Sequence, residues 1–142
     1  MEALSSDQIL KELKEIWHDF EWEIPKNPFF TAMPDDMLDR AIMECDISHM
    51  VNIPGVWECE NYSGRWQSNV EVFQYKLWMS GEYKPKWRWY IQDAFGIEHN
   101  LFGDVKHSKN IVRLESGWIL FEPQTNAVST DFKSFELIVG EA

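Results

Sequence analysis

The side chains that most often carry chemistry are scattered along this chain. It has four histidines: His18, His49, His99 and His107. Their spacing is not the short, regular spacing of a zinc site or a two-histidine motif, and we interpret them as surface or structural residues. No Gly-x-Ser-x-Gly, Walker or dinucleotide-binding motif is present. The sequence therefore predicts no metal site, no cofactor and no catalytic set.

The two cysteines are too few for a disulfide framework. We interpret Cys45 and Cys59 as reduced, partly buried thiols. The first six residues lack the basic and apolar regions of a signal peptide, and no apolar run approaches the length of a membrane span. These features predict a cytoplasmic protein that does not contact the membrane.

The negative charge is unevenly distributed. The formal net charge is −11, and residues 1–60 hold 14 acidic and 4 basic side chains, whereas residues 61–142 hold 10 and 9. The first part thus carries −10 and the second −1. Such a field argues against binding to nucleic-acid phosphates or to anionic membranes, and it favours a basic partner or simple solubility.

The most distinctive string runs from Tyr83 to Tyr90 and interleaves cations with aromatic residues. Single-stranded nucleic-acid platforms combine these residue types. A strand over 86–92 would instead send Trp87 and Trp89 to one face and the cations to the other, into solvent. Two other interpretations remain: a binding surface, or a basic edge that pairs with the acidic helices, within one chain or between two.

The acidic part reads as two helices. Ser5 and Gln8 form a capping box for the first helix, and its polar face carries a row of carboxylates: Glu12, Glu15, Asp19 and Glu23. Pro34 is a favoured first residue for the second helix. Its early turns carry three further carboxylates, namely Asp35, Asp36 and Asp39.

From Val56 onward the apolar period changes from 3.6 to 2, which predicts short strands. We predict a long strand or a broken pair over 65–79, a hairpin turn at Ser80-Gly81 and another at Ser116-Gly117. The fold class is therefore α+β: two N-terminal helices packed on an antiparallel, six- or seven-stranded meander that can curl toward a barrel. Residues 1–142 form a single domain, with an acidic helical part over 1–50 and a β part over 56–139.

The main functional hypothesis is a non-enzymatic acidic protein that docks on a basic protein partner and blocks it, as an inhibitor, immunity protein or nucleic-acid mimic does. The expected partner is a basic protein, for example one that binds nucleic acid. The contact charges are Glu12, Glu15, Asp19, Glu23, Asp35, Asp36 and Asp39, with Trp17, Trp22 or Phe30 as nearby anchors. A homodimer through the acidic helices and the Lys84–Arg88 segment is also compatible with the charges.

Two further classes stay open. One is a small apolar-ligand pocket inside the curled sheet, lined by Trp57, Phe73, Tyr75, Trp87, Trp89 and Trp118. The other is an enzyme with an acid–base carboxylate near Arg65, Arg88 or His99, because a catalytic pair could lie among so many carboxylates.

Overall fold

The structure is a computed structural model that describes residues 3–23 and 25–141. Within that part of the chain the helices are α1 (Ser6–Ile16), α2 (Leu38–Glu44) and α3 (Cys59–Ser80). The strands are β1 (Ala3–Ser5), β2 (Glu21–Trp22), β3 (Phe29–Thr31), β4 (Ile91–Asn100), β5 (Gly103–Leu114), β6 (Gly117–Glu122), β7 (Ala127–Ser129) and β8 (Phe135–Glu141). The fold is α+β.

Six of these strands form one mixed sheet in the order β2, β8, β4, β5, β6, β7. Strand β2 runs parallel to β8, and all other neighbours are antiparallel. The short strands β1 and β3 form a separate antiparallel pair. No pairing among the described residues joins β2 to β7, so the sheet is open and is not closed into a barrel.

The sheet is covered on both faces. Because successive strand residues point to opposite faces, Ile111 and Val112 on β5 belong to different core clusters. One cluster contains Val112 and the buried side of α3, and α2 packs there as well. The other contains Ile111 and the buried residues of α1. The two acidic helices therefore lie against opposite faces of the sheet.

The prediction of strands over 65–79 is wrong, because this segment lies in the 22-residue helix α3. Its buried residues recur at helical spacing: Tyr62, Trp66, Val70, Phe73 and Leu77. Tyr75 and Met79 are exposed on the other side, with Val72 and Trp78, and together with the buried set they produce a misleading alternation. The Ser80-Gly81 hairpin is wrong as well, since Gly81 adopts φ 79° at the C-terminal end of α3.

The first predicted helix is confirmed as α1, which is shorter than the helix that its apolar spacing predicts. The Ser5 hydroxyl accepts a hydrogen bond from the Gln8 N–H at 3.1 Å, as the cap predicts. The Gln8 side chain does not complete the predicted box; it reaches forward to Glu12 at 3.0 Å. The second helix does not start at Pro34, because a 3-10 turn over Asp35–Met37 precedes α2.

In the C-terminal half, the Ser116-Gly117 turn is confirmed and joins β5 to β6. The expected strand over 86–92 is largely wrong: β4 begins at Ile91, and before it Trp89 forms an isolated bridge with Thr31 of β3. None of the described helices is long and apolar enough to cross a membrane.

Candidate functional site

The candidate site lies at the start of α3. Glu58 precedes the helix, and its N–H donates to Oδ1 of Asn61 at 3.0 Å in a reciprocal cap. Cys59 is the first residue of the helix. The N–H groups at the start of a helix carry a partial positive charge, and such a position stabilises a thiolate.

The Cys59 thiol is half-buried against strand β5, where it meets Ser108. Burial raises the pKa of this thiol, and Glu60, whose Oε2 lies 3.5 Å from Sγ, raises it further. Hydrogen bonds from the backbone and the hydroxyl of Ser108 act in the opposite direction without cancelling the rise. The pKa of this thiol therefore lies above its ordinary value.

The residue before Ser108 is His107, which is paired with a carboxylate. Nε2 of His107 is hydrogen-bonded to Oε2 of Glu122, the last residue of the neighbouring strand β6. The two side chains are only 17% and 13% exposed. The other carboxylate oxygen of Glu122 accepts the N–H of Gln124 at 3.2 Å. Nε2 is thus the ring nitrogen that faces Glu122, and Nδ1 lies on the other side of the ring.

A cavity of about 360 Å³ opens between the first turn of α3 and the sheet. It is lined by Glu60, Asp93, Phe95, Ser108 and Val139. Asp93 accepts a hydrogen bond from the buried hydroxyl of Ser63 on α3 at 2.6 Å. Ser63 also binds β5, because its carbonyl oxygen accepts from Nδ2 of Asn110 at 2.9 Å. Polar contacts thus join the first turns of α3 to β4 and β5.

The other cysteine has a different environment. Cys45 is only 3% exposed, and burial followed by the charge of Glu44 raises its pKa to about 12. It belongs to the core cluster between α2 and α3. Both cysteines are free thiols, as expected; Cys59 is partly buried, whereas Cys45 is fully buried.

The structure divides the predicted contact charges. Glu12 accepts from Nε of Arg113 at 2.7 Å and from Nε1 of Trp118 at 2.9 Å, so its charge is neutralised within the chain. The other six are exposed: Glu15, Asp19, Glu23, Asp35, Asp36 and Asp39. Glu15 is on α1, and Asp19 and Glu23 follow that helix. The other three belong to α2 and its preceding turn, and α2 packs on the opposite face of the sheet from α1. Of the expected anchors, Trp17 and Phe30 are buried.

The structure disperses the six residues of the predicted aromatic pocket. Phe73 and Trp89 are in contact, with ring centroids 6.2 Å apart, but Tyr75 is 63% exposed on the outer side of α3. Trp118 packs on the opposite face of the sheet, against Tyr90. Because the sheet is open, it encloses no interior for these rings to line.

The residues suggested for a carboxylate enzyme are also dispersed. Arg88 pairs with Glu71 at 3.4 Å, and both side chains are exposed. His99 lies between Asp104 and Glu136 near the β4–β5 turn, again exposed. Arg65 borders a different cavity, with Asn69.

Sequence reasoning missed the contact of Cys59 with Ser108 and the pairing of the preceding residue, His107, with Glu122. The assignment of 65–79 to strands hid the fact that Cys59 begins a helix. The usable signals were Glu58 and Asn61 as a capping pair and the 3.6-residue spacing of Tyr62, Trp66 and Val70.

Comparisons with known proteins place the fold beside two solved structures. One, described as a PSL1a-E64 complex, aligns with a TM-score of 0.75 at 13% identity and covers 97% of this chain and 49% of that chain. The other is a Polyporus squamosus lectin bound to the human-type influenza-binding epitope Neu5Aca2-6Galb1-4GlcNAc, with a TM-score of 0.71, 12% identity and the same coverage. The chain thus spans about half the length of these solved chains. No family model and no curated protein sequence matches it.

Proposed function

We propose that this chain is a thiol-dependent acyl-transfer enzyme, with a hydrolase as the simplest form. Cys59 is the nucleophile, His107 the general base, and Glu122 the group that orients the imidazole. The observation that carries the proposal is that the Cys59 thiol contacts the backbone and the hydroxyl of Ser108, where β5 extends past its pairing with β6. The ring of the preceding residue, His107, is held by the largely buried carboxylate of Glu122.

Because the pKa of the Cys59 thiol is raised, we propose that the thiol loses its proton during the attack on the substrate. Nδ1 of His107 removes the thiol proton as the sulfur attacks the carbonyl carbon of the substrate, and a C–S bond forms. The carbonyl oxygen gains negative charge, which the N–H groups at the start of α3 stabilise. The imidazolium then protonates the leaving group, and an acyl-enzyme remains. A water molecule, deprotonated by the same imidazole, hydrolyses the thioester and restores the thiol.

The structural comparison supports this proposal from a second direction. One of the two solved structures is described as a complex with E64. E64 is an epoxysuccinyl compound. A thiolate opens its epoxide: the sulfur bonds to a ring carbon, and the epoxide oxygen takes up a proton as a hydroxyl. A compound of this type is therefore a direct probe for Cys59.

The test is adduct formation followed by peptide mass spectrometry. We expect E64 and the smaller iodoacetamide to modify Cys59 and to leave Cys45 intact, because Cys45 is buried. Replacing the base, His107→Gln, should slow the modification of Cys59 at neutral pH by tenfold or more. Glu122→Gln should slow it less, because a neutral amide still orients the ring.

The matched control is Cys45→Ala, which should keep the rate at Cys59. Modification of both cysteines at the rate of the unfolded chain would contradict the proposal. So would a His107→Gln variant that is folded, by circular dichroism, and as reactive as the wild type.

A second candidate function is the acidic docking protein. It is favoured by the six exposed carboxylates on and near α1 and α2, which attract a basic protein partner. Since the two helices lie on opposite faces of the sheet, we propose that one partner contacts either the α1 group or the α2 group. Charge reversal at Glu15 and Asp19, compared with reversal at Asp36 and Asp39, tests which. If an isolated partner binds both variants as tightly as the wild type and is insensitive to salt, this function is excluded.

A further inference from the structure

The cavity beside Cys59 has the composition of a site for a long cationic side chain. Phe95 and Val139 provide apolar walls, and Glu60 and Asp93 provide carboxylates. The lining residues include no cation. Lysine and arginine bury an apolar stem and present a charged head, so walls of this kind match both parts of such a side chain.

A third acceptor neighbours Asp93 in the sheet, behind the residues that line the cavity. Asn110 stands directly opposite Asp93 in the β4–β5 register, so both side chains leave the same face of the sheet. Asn110 is fully buried, and its Oδ1 has no hydrogen-bond partner within the part of the chain that the structure describes. A buried carbonyl oxygen without a donor is unfavourable, and an ammonium or guanidinium group supplies N–H donors only.

From these groups we infer that the proposed enzyme selects a substrate with a lysine-like or arginine-like side chain, and that Glu60 and Asp93 determine this specificity. The inference rests on the proposed function, since it places the cationic group in the cavity next to the thiol that attacks. Glu60 comes from α3 and Asp93 from β4, so the packing of the helix on the sheet brings the two carboxylates into one cavity.

Glu60 also couples recognition to reactivity. Its carboxylate accepts a hydrogen bond from the Cys59 thiol across 3.5 Å and thereby favours the protonated sulfur. A cation that pairs with Glu60 neutralises this charge, and the thiol then loses its proton more readily. Substrates with a cationic side chain are thus bound more tightly than neutral ones and are attacked faster.

The experiment measures how the charge of a small reagent changes its reaction rate at Cys59. Three methanethiosulfonates serve as probes: the cationic aminoethyl, the neutral methyl and the anionic sulfonatoethyl compounds. In each case the sulfur of Cys59 attacks the sulfenyl sulfur, a mixed disulfide forms and methanesulfinate leaves. Rates at Cys59 are read by peptide mass spectrometry and divided by the rates with free 2-mercaptoethanol.

We expect the cationic reagent to react about tenfold or more faster than the anionic one after this correction. Glu60→Gln and Asp93→Asn should each lower the ratio, and the double variant should bring it within about twofold of one. Glu71→Gln is the matched control, because it removes the same charge from the same helix at roughly 18 Å from Cys59 along the axis. It should keep the wild-type ratio.

Two measurements separate the possible failures. About 0.5 M salt screens the general field of this acidic chain, so a ratio that persists there and disappears in the double variant supports the local site. A ratio near one in the wild type, or one that the double variant leaves unchanged, overturns the inference. If even the neutral reagent modifies Cys59 no faster than Cys45, the proposed function itself fails.

Discussion

Replacing Glu12 by glutamine should destabilise the fold although the change looks conservative. The Glu12 carboxylate accepts hydrogen bonds from Arg113 at 2.7 Å, from Trp118 at 2.9 Å and from Gln8 at 3.0 Å. It thereby ties α1 to strands β5 and β6. The substitution Glu12→Gln keeps the shape of the side chain and leaves the guanidinium of Arg113 without its counter-charge.

The size of this destabilisation follows from how far the ion pair is buried. Removing one partner of a fully buried ion pair costs about 3–5 kcal/mol. The side chains of Glu12 and Arg113 are 18% and 16% exposed, and glutamine can still accept from Trp118. We therefore expect a loss of about 2 kcal/mol in the free energy of unfolding. For a domain of this length that corresponds to roughly 4–8 °C in Tm.

Urea unfolding followed by tryptophan fluorescence measures this loss. The matched control is Glu15→Gln, an exposed carboxylate on the same helix, which should stay within about 0.5 kcal/mol of the wild type. Equal stabilities for the two variants would refute the assignment of Glu12 to an internal ion pair.

The same pair has a predictable pH dependence. Burial would raise the pKa of Glu12, but the hydrogen bonds from Arg113, Gln8 and Trp118 outweigh it and lower the pKa below 4.5. The ionised carboxylate therefore stabilises the fold above the pKa of the unfolded chain, and this contribution is lost as the pH falls through the lower folded value. The stability difference between Glu12→Gln and the wild type should shrink below about pH 4.5.

Three further predictions concern two glycines and a histidine. Gly96→Ala should destabilise by about 1–3 kcal/mol, because a Cβ there would collide with the Glu136 carbonyl and lie 2.8 Å from the Phe135 ring. Gly64→Ala, in the interior of α3 with 3.8 Å to its nearest neighbour, should stabilise by about 0.5–1 kcal/mol; urea unfolding that gives both changes the same sign would contradict this. Hydrogen bonding to Asp104, and then to Glu136, raises the pKa of His99 above 6.5, so its stabilising contribution is complete below that pH and is lost as the pH rises through the folded value. In an NMR titration the midpoint of His99 should fall in Asp104→Asn, and an unchanged midpoint would refute the pairing.

Local signals in the sequence were sufficient for several elements. Ser5 and the apolar spacing of Ile9 and Leu13 predicted α1, because capping and helical periodicity depend on residues within a few positions of each other. The Ser116-Gly117 pair predicted the β5–β6 hairpin for the same reason. The charge asymmetry is a property of composition and needed no structure.

Such local signals do not identify helix α3. Tyr75 and Met79 are exposed apolar residues, and alternation with the buried Phe73 and Leu77 imitates a strand. Only packing against β4 and β5 distinguishes the buried set from the exposed one, because burial is decided by contacts between segments distant in the chain.

The candidate site depended on the tertiary structure for the same reason. Cys59, His107 and Glu122 come from a helix and two strands, and no short motif relates them. The sequence by itself established the residue types, the acidic field and the first helix. The tertiary structure decided which of two cysteines is buried and which begins a helix beside a histidine-bearing strand. It also decided that Glu12, one of many carboxylates in the sequence, is an internal partner of Arg113, because burial and pairing are properties of the packed chain.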